Sequence, residues 1–336
     1  MSESLRTLAH MSEATKAFEP RDGETPIRGN VRARGHDRVS HGLFLPDSED
    51  DDPVHRWHRE LHAWLQVLPE SAVFTHLTAV RLYGWDQPKL PEQIPVWVAV
   101  NVHDRRPRRE GLICSRLTRE PGKNVRQGFP VEDPEEVLLR VARDLGVLDL
   151  VILIDSALRK DDVDLRRLAV ILKSGRPGVR VLAAAYELSH AKRESAMESV
   201  LGVFHAAMDI PVEPQVELFD DSGNLIGRGD FLVTGTNYVH EYDGGVHRDK
   251  KEHRKDLRRE RGWSDTPYRR KGFSLDDLLN HPVVVMHEMD RALGRHHVES
   301  RIRRWRTLVR ESLYDEVGRR RIVNRWRRAM GVVQWV

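Results

Sequence analysis

Cysteine is nearly missing from this sequence. Cys114 stands alone among 336 residues, which excludes a disulfide framework and a zinc site built only from thiolates. No apolar run approaches the roughly 18 residues that a membrane-spanning helix needs, so no membrane partner is expected. The opening stretch "MSESLRTLAHMSEATKAFEP" lacks the apolar core of a secretory signal, and the expected location is cytoplasmic. Also missing are a G-x-S-x-G nucleophile elbow, a P-loop and a dinucleotide fingerprint. With them go the most legible routes to serine hydrolysis, nucleotide-dependent phosphoryl transfer and hydride transfer.

What is present is charge. Charged residues make up 32% of the chain against 39% hydrophobic, the balance of a globular protein long enough for about two domains. The net charge is only +3, yet it is unevenly spread. From Arg248 to Arg328 there are 24 Lys/Arg against 13 Asp/Glu, a surplus of eleven, so the remainder carries a net −8. Such asymmetry points to a C-terminal half that faces a polyanion. A solvated helix face is the plainer reading of any charge run.

Periodicity places the elements. Residues 1–37 are polar and without clear period, and are expected to be mostly mobile. Val54, Trp57, Leu61, Trp64 and Leu65 fall at helical spacing. "SAVFTHLTAVRLYG" suggests a second helix stopped by Gly84. "IPVWVAVNV" and "GLICSRL" suggest strands joined by the basic loop "HDRRPRRE". "DPEEVLLRVARDLG" opens with Asp133 as cap and Pro134 at the first helical position, and "VLDLVILIDSALR" suggests a buried helix. The helix "KRESAMESVLGVFHAAM" carries Glu194 and Glu198. Strands over 213–220, 229–234 and 237–242 follow, then a charged helix over 248–263 and a fourth strand over "HPVVVMHEM" (281–289). The stretch from Trp263 to Val283 is longer than a simple helix-to-strand connection needs. The expected class is α/β (α+β), with the order αβββαβ in the second half.

The hairpin "GRGDFLVTGTNYVHEYDGGVH" holds the most chemistry. If its strands pair through a turn at Gly235–Thr236, opposed residues sum to 471 and Asp230 faces Glu241. Opposed side chains lie about 5 Å apart, so two carboxylates there repel unless a cation bridges them or one is protonated. Asp243 shares a strand face with Glu241. Three acids converging suit a hard ion such as Mg2+ or Mn2+. His247 could then take a proton from an attacking water, and Glu198 could complete the shell. The plainer reading is a polar turn, since Asp-Gly is a common turn signal.

These residues carry a resemblance. The stretch from Glu194 to Asp290 resembles the PD-(D/E)XK nuclease superfamily, in the branch similar to very-short-patch repair endonucleases. That branch pairs a strand aspartate with Glu-x-Asp-Gly-x-x-His and follows it with a helix bearing Asp-x-x-Arg. Asp230, "EYDGGVH" and "DLRR" (256–259) occupy those positions here, and "ESAMES" is similar to the leading helix with its glutamate at Glu198. The lysine of a typical D/E-x-K is replaced by Asp243, which leaves proton abstraction to His247. "RVSHGLFLP", "LPESAVFTHLTAVRLYG" and "VLDLVILIDSALR" are similar to AbiEi-like antitoxin domains. The resemblance implies an antitoxin-like domain over 38–190 and a restriction-endonuclease-like αβββαβ core over 191–290, between the segment over 1–37 and basic C-terminal helices expected over 291–336. A joint near 188–193 is expected.

Two functions stay in contention. One is a Mg2+- or Mn2+-dependent endonuclease acting on double-stranded DNA in defence or repair. Asp230 and Glu241 would hold the metal, and His247, Asp243 and Glu198 would serve catalysis. The other is a non-catalytic DNA-binding regulator of the antitoxin type. Either would seat phosphates on Arg258, Arg259, Arg304, Arg319, Arg320 and Arg321, and a homodimer is one expected state. In the last helices Ile302 and Trp305 form an apolar face and arginines crowd the rest, so the same helix can pack and meet phosphate. His55, His58 and His62 share one helix side, but no fourth metal ligand accompanies them.

Overall fold

A computed structural model describes residues 18–29, 35–48, 52–117, 119–122, 124–220, 222–243 and 266–331. His247, Arg258 and Arg259, together with the charged helix expected over 248–263, lie outside the described residues. The chain forms two compact units. The first comprises residues 1–85, 90–144 and 320–336, and the second 86–89 and 145–319. Among the described residues both helices and strands occur in each unit, three sheets in all. No described helix is long and apolar enough to cross a membrane.

In the first unit, β1 (Ile27–Arg28), β2 (His36–Ser40) and β3 (Leu43–Pro46) form an antiparallel sheet in the order β1-β3-β2. Ile27 and Arg28 thus pair with Phe44 and Leu43, inside the segment expected to be mobile. Helix α1 (Pro53–Leu65) starts where Asp52 accepts from the His55 N–H at 3.1 Å, and it buries Leu61, Ala63 and Trp64. Its three histidines bind no common centre. His55 pairs with Glu24 at 2.9 Å, His58 meets Gln127 at 2.8 Å, and all three rings pack around Phe18.

The five-stranded sheet of this unit runs β6-β5-β4-β8-β7 through β4 (Val73–Phe74), β5 (Val96–Val100), β6 (Leu112–Arg116), β7 (Asn124–Arg126) and β8 (Phe129–Val131). The unbroken apolar run of β5 reflects burial on both faces and a parallel neighbour in β6. Val73 and Phe74, expected within a helix, form β4, and helix α2 (His76–Tyr83) begins after them. Its end at Gly84, φ 67°, fits the glycine stop signal. Helix α3 (Pro134–Val141) is buried throughout, and Arg140 on it holds the buried Glu132 with a second bond of 2.7 Å.

The second unit begins its helices with α4 (Val147–Arg159), α5 (Leu165–Leu172), α6 (Val179–Glu187) and α7 (Ala196–Ala207). Strands β9 (Val212–Phe219), β10 (Leu225–Val233), β11 (Tyr238–Tyr242) and β12 (Arg269–Phe273) form one sheet in sequential order. β9, β10 and β11 are antiparallel and β12 is parallel to β11. The remaining helices are α8 (Leu275–Asn280), α9 (Pro282–Ala292), α10 (Glu299–Arg310) and α11 (Glu316–Ala329).

Three expectations are corrected here. Residues 281–289 are helical. Ser274 and Asp277 form a capping box for α8, Pro282 restarts the chain as α9, and Val285, Met286 and Met289 go inward at helical spacing while Val284 faces solvent. The fourth strand is β12, whose "RRKGF" has one buried residue, Phe273, and therefore no apolar signature. β12 and α8 fill the stretch that is too long for a simple connection.

Residues 188–193 lie within the second unit. The buried Asp155 accepts from the His190 N–H at 2.7 Å, from Arg193 at 3.0 Å and from Ser199 at 2.8 Å. Two residues of "SHAKR", His190 through its N–H and Arg193 through its side chain, thus serve a buried carboxylate.

The C-terminal helices also divide. α10 belongs to the second unit, whereas residues from Arg320 onward belong to the first. There the Trp326 indole N–H donates to Asp144 at 3.0 Å, and its ring meets Trp97 edge-on.

Candidate functional site

The site grows from the N-terminus of α7. Ser195 caps the helix by accepting from the Glu198 N–H at 3.1 Å. Glu198, three residues on, returns the bond: its carboxylate accepts from the Ser195 hydroxyl at 2.9 Å and from the Glu194 N–H at 2.8 Å. Ser195 and Glu198 thus exchange hydrogen bonds across the first turn of the helix. A third donor is the Gln215 amide at 2.8 Å. Gln215 holds an unfavourable φ of 55° in β9 to make that reach.

The β10–β11 hairpin has the expected register. Phe231 opposes His240 and Leu232 opposes Val239, both summing to 471, and the turn at Gly235 has φ 74°. Gly229 allows close approach, since a Cβ there would lie 2.5 Å from the Val239 side chain. One register step past Phe231, Asp230 does not simply face Glu241. Its Oδ2 accepts from the Tyr242 N–H at 2.9 Å.

Between the pairs Pro214–Phe231 and Val216–Gly229, Asp230 has Gln215 as its neighbour on β9. Asp230 and Glu198 are thereby close enough to repel. Burial pushes the Glu198 carboxyl up, and the Asp230 charge adds to the rise.

Glu241 is placed differently. It is only 4% exposed, and Arg270 of β12 grips its carboxylate through both Nε and a terminal nitrogen. The adjacent His240 faces α7, where its Nδ1 lies 2.8 Å from His205 Nε2 and the two rings stack. Alternation along β11 therefore turns Glu241 to the other sheet face, the face of Val239, Leu218 and Leu232. Asp243 ends β11, exposed, with its N–H donated to Phe273.

Glu198 and Asp230 thus come together, and Glu241 is held by Arg270. Among the described residues no group of three or more His, Cys, Asp or Glu side chains is placed to hold a metal ion. No step through a metal follows from the described residues alone. Arg270 and Gln215 are the participants that sequence patterns missed. Arg270 could be found only by recognising β12, and Gln215 only from its backbone conformation.

The expected DNA-facing arginines separate as well. On α10, Ile302 and Trp305 go inward; the Trp305 ring meets Phe204 edge-on and its N–H donates to the Leu278 carbonyl at 2.7 Å. Arg303, Arg304, Arg306 and Arg310 are turned to solvent. Arg304 is drawn to Asp209 at 3.0 Å, while Arg303, Arg306 and Arg310 make no ion pair among the described residues. Arg319 is spent on structure, donating twice to the Leu313 carbonyl at 3.1 and 2.8 Å. Arg320 and Arg321 are exposed.

Compared with family models, with curated proteins and with solved structures, the chain matches none.

Proposed function

We propose that this chain binds double-stranded DNA through its C-terminal half, on a restriction-endonuclease-like αβββαβ core, as a DNA-binding regulator of the antitoxin type. The observation that carries the reading is the outer face of α10, where Arg303, Arg306 and Arg310 stand exposed without carboxylate partners among the described residues while Ile302 and Trp305 anchor the helix. Salt bridging within the fold does not account for these charges, and phosphate does. The test is binding to a short duplex as salt is raised. Affinity falls linearly on log axes, and neutralising Arg303, Arg306 and Arg310 lowers the slope by about 3 and weakens all sequences alike. Salt-independent binding, or none at low salt, overturns the reading.

The second reading is an endonuclease that uses Mg2+ or Mn2+, with Asp230 and Glu241 as metal ligands, Glu198 and Asp243 beside them and His247 as base. The order of helix, three antiparallel strands and a parallel fourth supports it, as does the repelling pair Glu198–Asp230. It requires Arg270 to release Glu241. Nicking of supercoiled DNA with either metal, lost in Asp230→Asn, selects this reading; no nicking leaves the regulator.

A further inference from the structure

The basic loop between β5 and β6 is not used by either reading, and it borders a highly charged cleft in the first unit. The cleft encloses about 830 Å3 and is lined by Arg28, His41, Arg105, Arg106, Arg108 and Arg109, with Gln66–Pro69 as its floor. No Asp or Glu lines it. The loop's own acid, Asp104, is turned aside onto the Ser71 hydroxyl. Arg116 fixes the loop from beneath through the carbonyl of Asn101 at 2.6 Å, and Arg109 ties it to the β2–β3 turn through the His41 carbonyl at 2.7 Å. Arg28, Arg105, Arg106 and Arg108 make no ion pair among the described residues. Four like charges are therefore held near one opening by a braced loop, where a bound anion relieves their repulsion.

We infer that this cleft is a second phosphate-binding site, and that its ligand is a run of adjacent phosphates along a nucleic-acid strand. Four unpaired guanidiniums exceed what one phosphate can accept, since a bidentate pair already engages two of its oxygens. The cleft is polar and open at one side, which suits an extended backbone passing through better than an enclosed apolar ligand. The same groups would also accept a free polyphosphate, so the test carries both. The inference goes beyond the proposed function and does not depend on α10.

The experiment compares the full chain with a variant combining Arg105→Ala, Arg106→Ala and Arg108→Ala, three loop arginines with no ion pair among the described residues, whose loss leaves the melting temperature unchanged. Binding of a short duplex, a single-stranded oligonucleotide and inorganic tripolyphosphate is titrated at several salt concentrations. The expected result is at least a tenfold loss of nucleic-acid affinity with a salt slope shallower by about 2–3, and recovery of most affinity in the matching Arg→Lys variant. Loss of tripolyphosphate binding with nucleic-acid binding untouched overturns the strand assignment. No change with any ligand overturns the site. In that last case the reading on α10 still stands or falls separately, by the Arg303/Arg306/Arg310 variant. If wild type binds no nucleic acid, the α10 reading fails, and the cleft is then overturned as a strand site too.

Discussion

Arg270 on β12 grips the carboxylate of Glu241 on β11, and this contact sets the state of the carboxylate cluster. Glu241 is buried, so its charge must have a partner. Arg270 supplies it from the parallel neighbour strand. Arg270→Ala therefore takes this guanidinium from a buried carboxylate. The Arg270 side chain is 30% exposed, so the loss is below that of a fully buried pair, about 1–3 kcal/mol. If Glu241 can serve as a metal ligand, millimolar Mn2+ restores much of the lost melting temperature in this variant and does little to wild type. Absence of a metal-dependent recovery removes the endonuclease reading.

Asp230→Asn tests the neighbouring pair. Burial holds the Glu198 carboxyl above its ordinary value and the Asp230 charge raises it further. Removing that charge moves the Glu198 titration to lower pH, observable by carboxyl NMR. Salt-sensitive duplex binding stays intact, because neither residue contacts phosphate in the proposed interface. An unchanged Glu198 titration would show that the two carboxyls do not interact.

The stacked pair His205–His240 gives a pH dependence. Burial lowers the His240 pKa from 6.5 to about 4, and burial together with His240 lowers His205 well below its ordinary value. As pH falls through 6.5 the unfolded chain takes up protons that the folded chain refuses. Stability is thus fully present above pH 6.5 and declines towards pH 4, by about 3 kcal/mol for His240 alone. Melting temperatures measured across this window fall steadily. Replacing both histidines by leucine removes this part of the slope, since both members of the pair become apolar together.

Asp155 controls the 188–193 segment. The carboxylate ties the His190 N–H, Arg193 and Ser199 together, and the Arg193 side chain lies directly over Gly202. Limited proteolysis leaves this segment intact in wild type. Asp155→Ala leaves Arg193 buried without its acid, lowers stability by about 3–5 kcal/mol and opens the segment to cleavage. Equal protease resistance in both proteins would show that Asp155 does not hold it.

Much of this was legible from spacing alone. The helix start at Asp133–Pro134, the stop at Gly84 and the 471 register of the hairpin are local signals. Each rests on a few adjacent residues and a known backbone period, and the structure has them where the pattern puts them. The failures share a cause. "HPVVVMHEM" has the β-branched content of a strand, but Pro282 and a one-sided burial make it a helix. "RRKGF" has nothing apolar to show until Phe273, yet pairing with β11 makes it a strand.

The sequence by itself determined the inventory: a charge surplus after Arg248, a helix led by Glu198, and Asp230 and Glu241 on successive strands. Tertiary structure alone decided how these groups are spent. It turned Glu241 towards Arg270, directed Arg319 to the Leu313 carbonyl, and collected four arginines without described ion-pair partners at a cleft from a loop and a distant strand. The physical reason is that a side chain's composition is local, whereas its partner is whatever the fold brings within a few ångströms. In a low-dielectric interior that partner, not the residue type, fixes whether a charge is neutralised, repelled or left to bind something else.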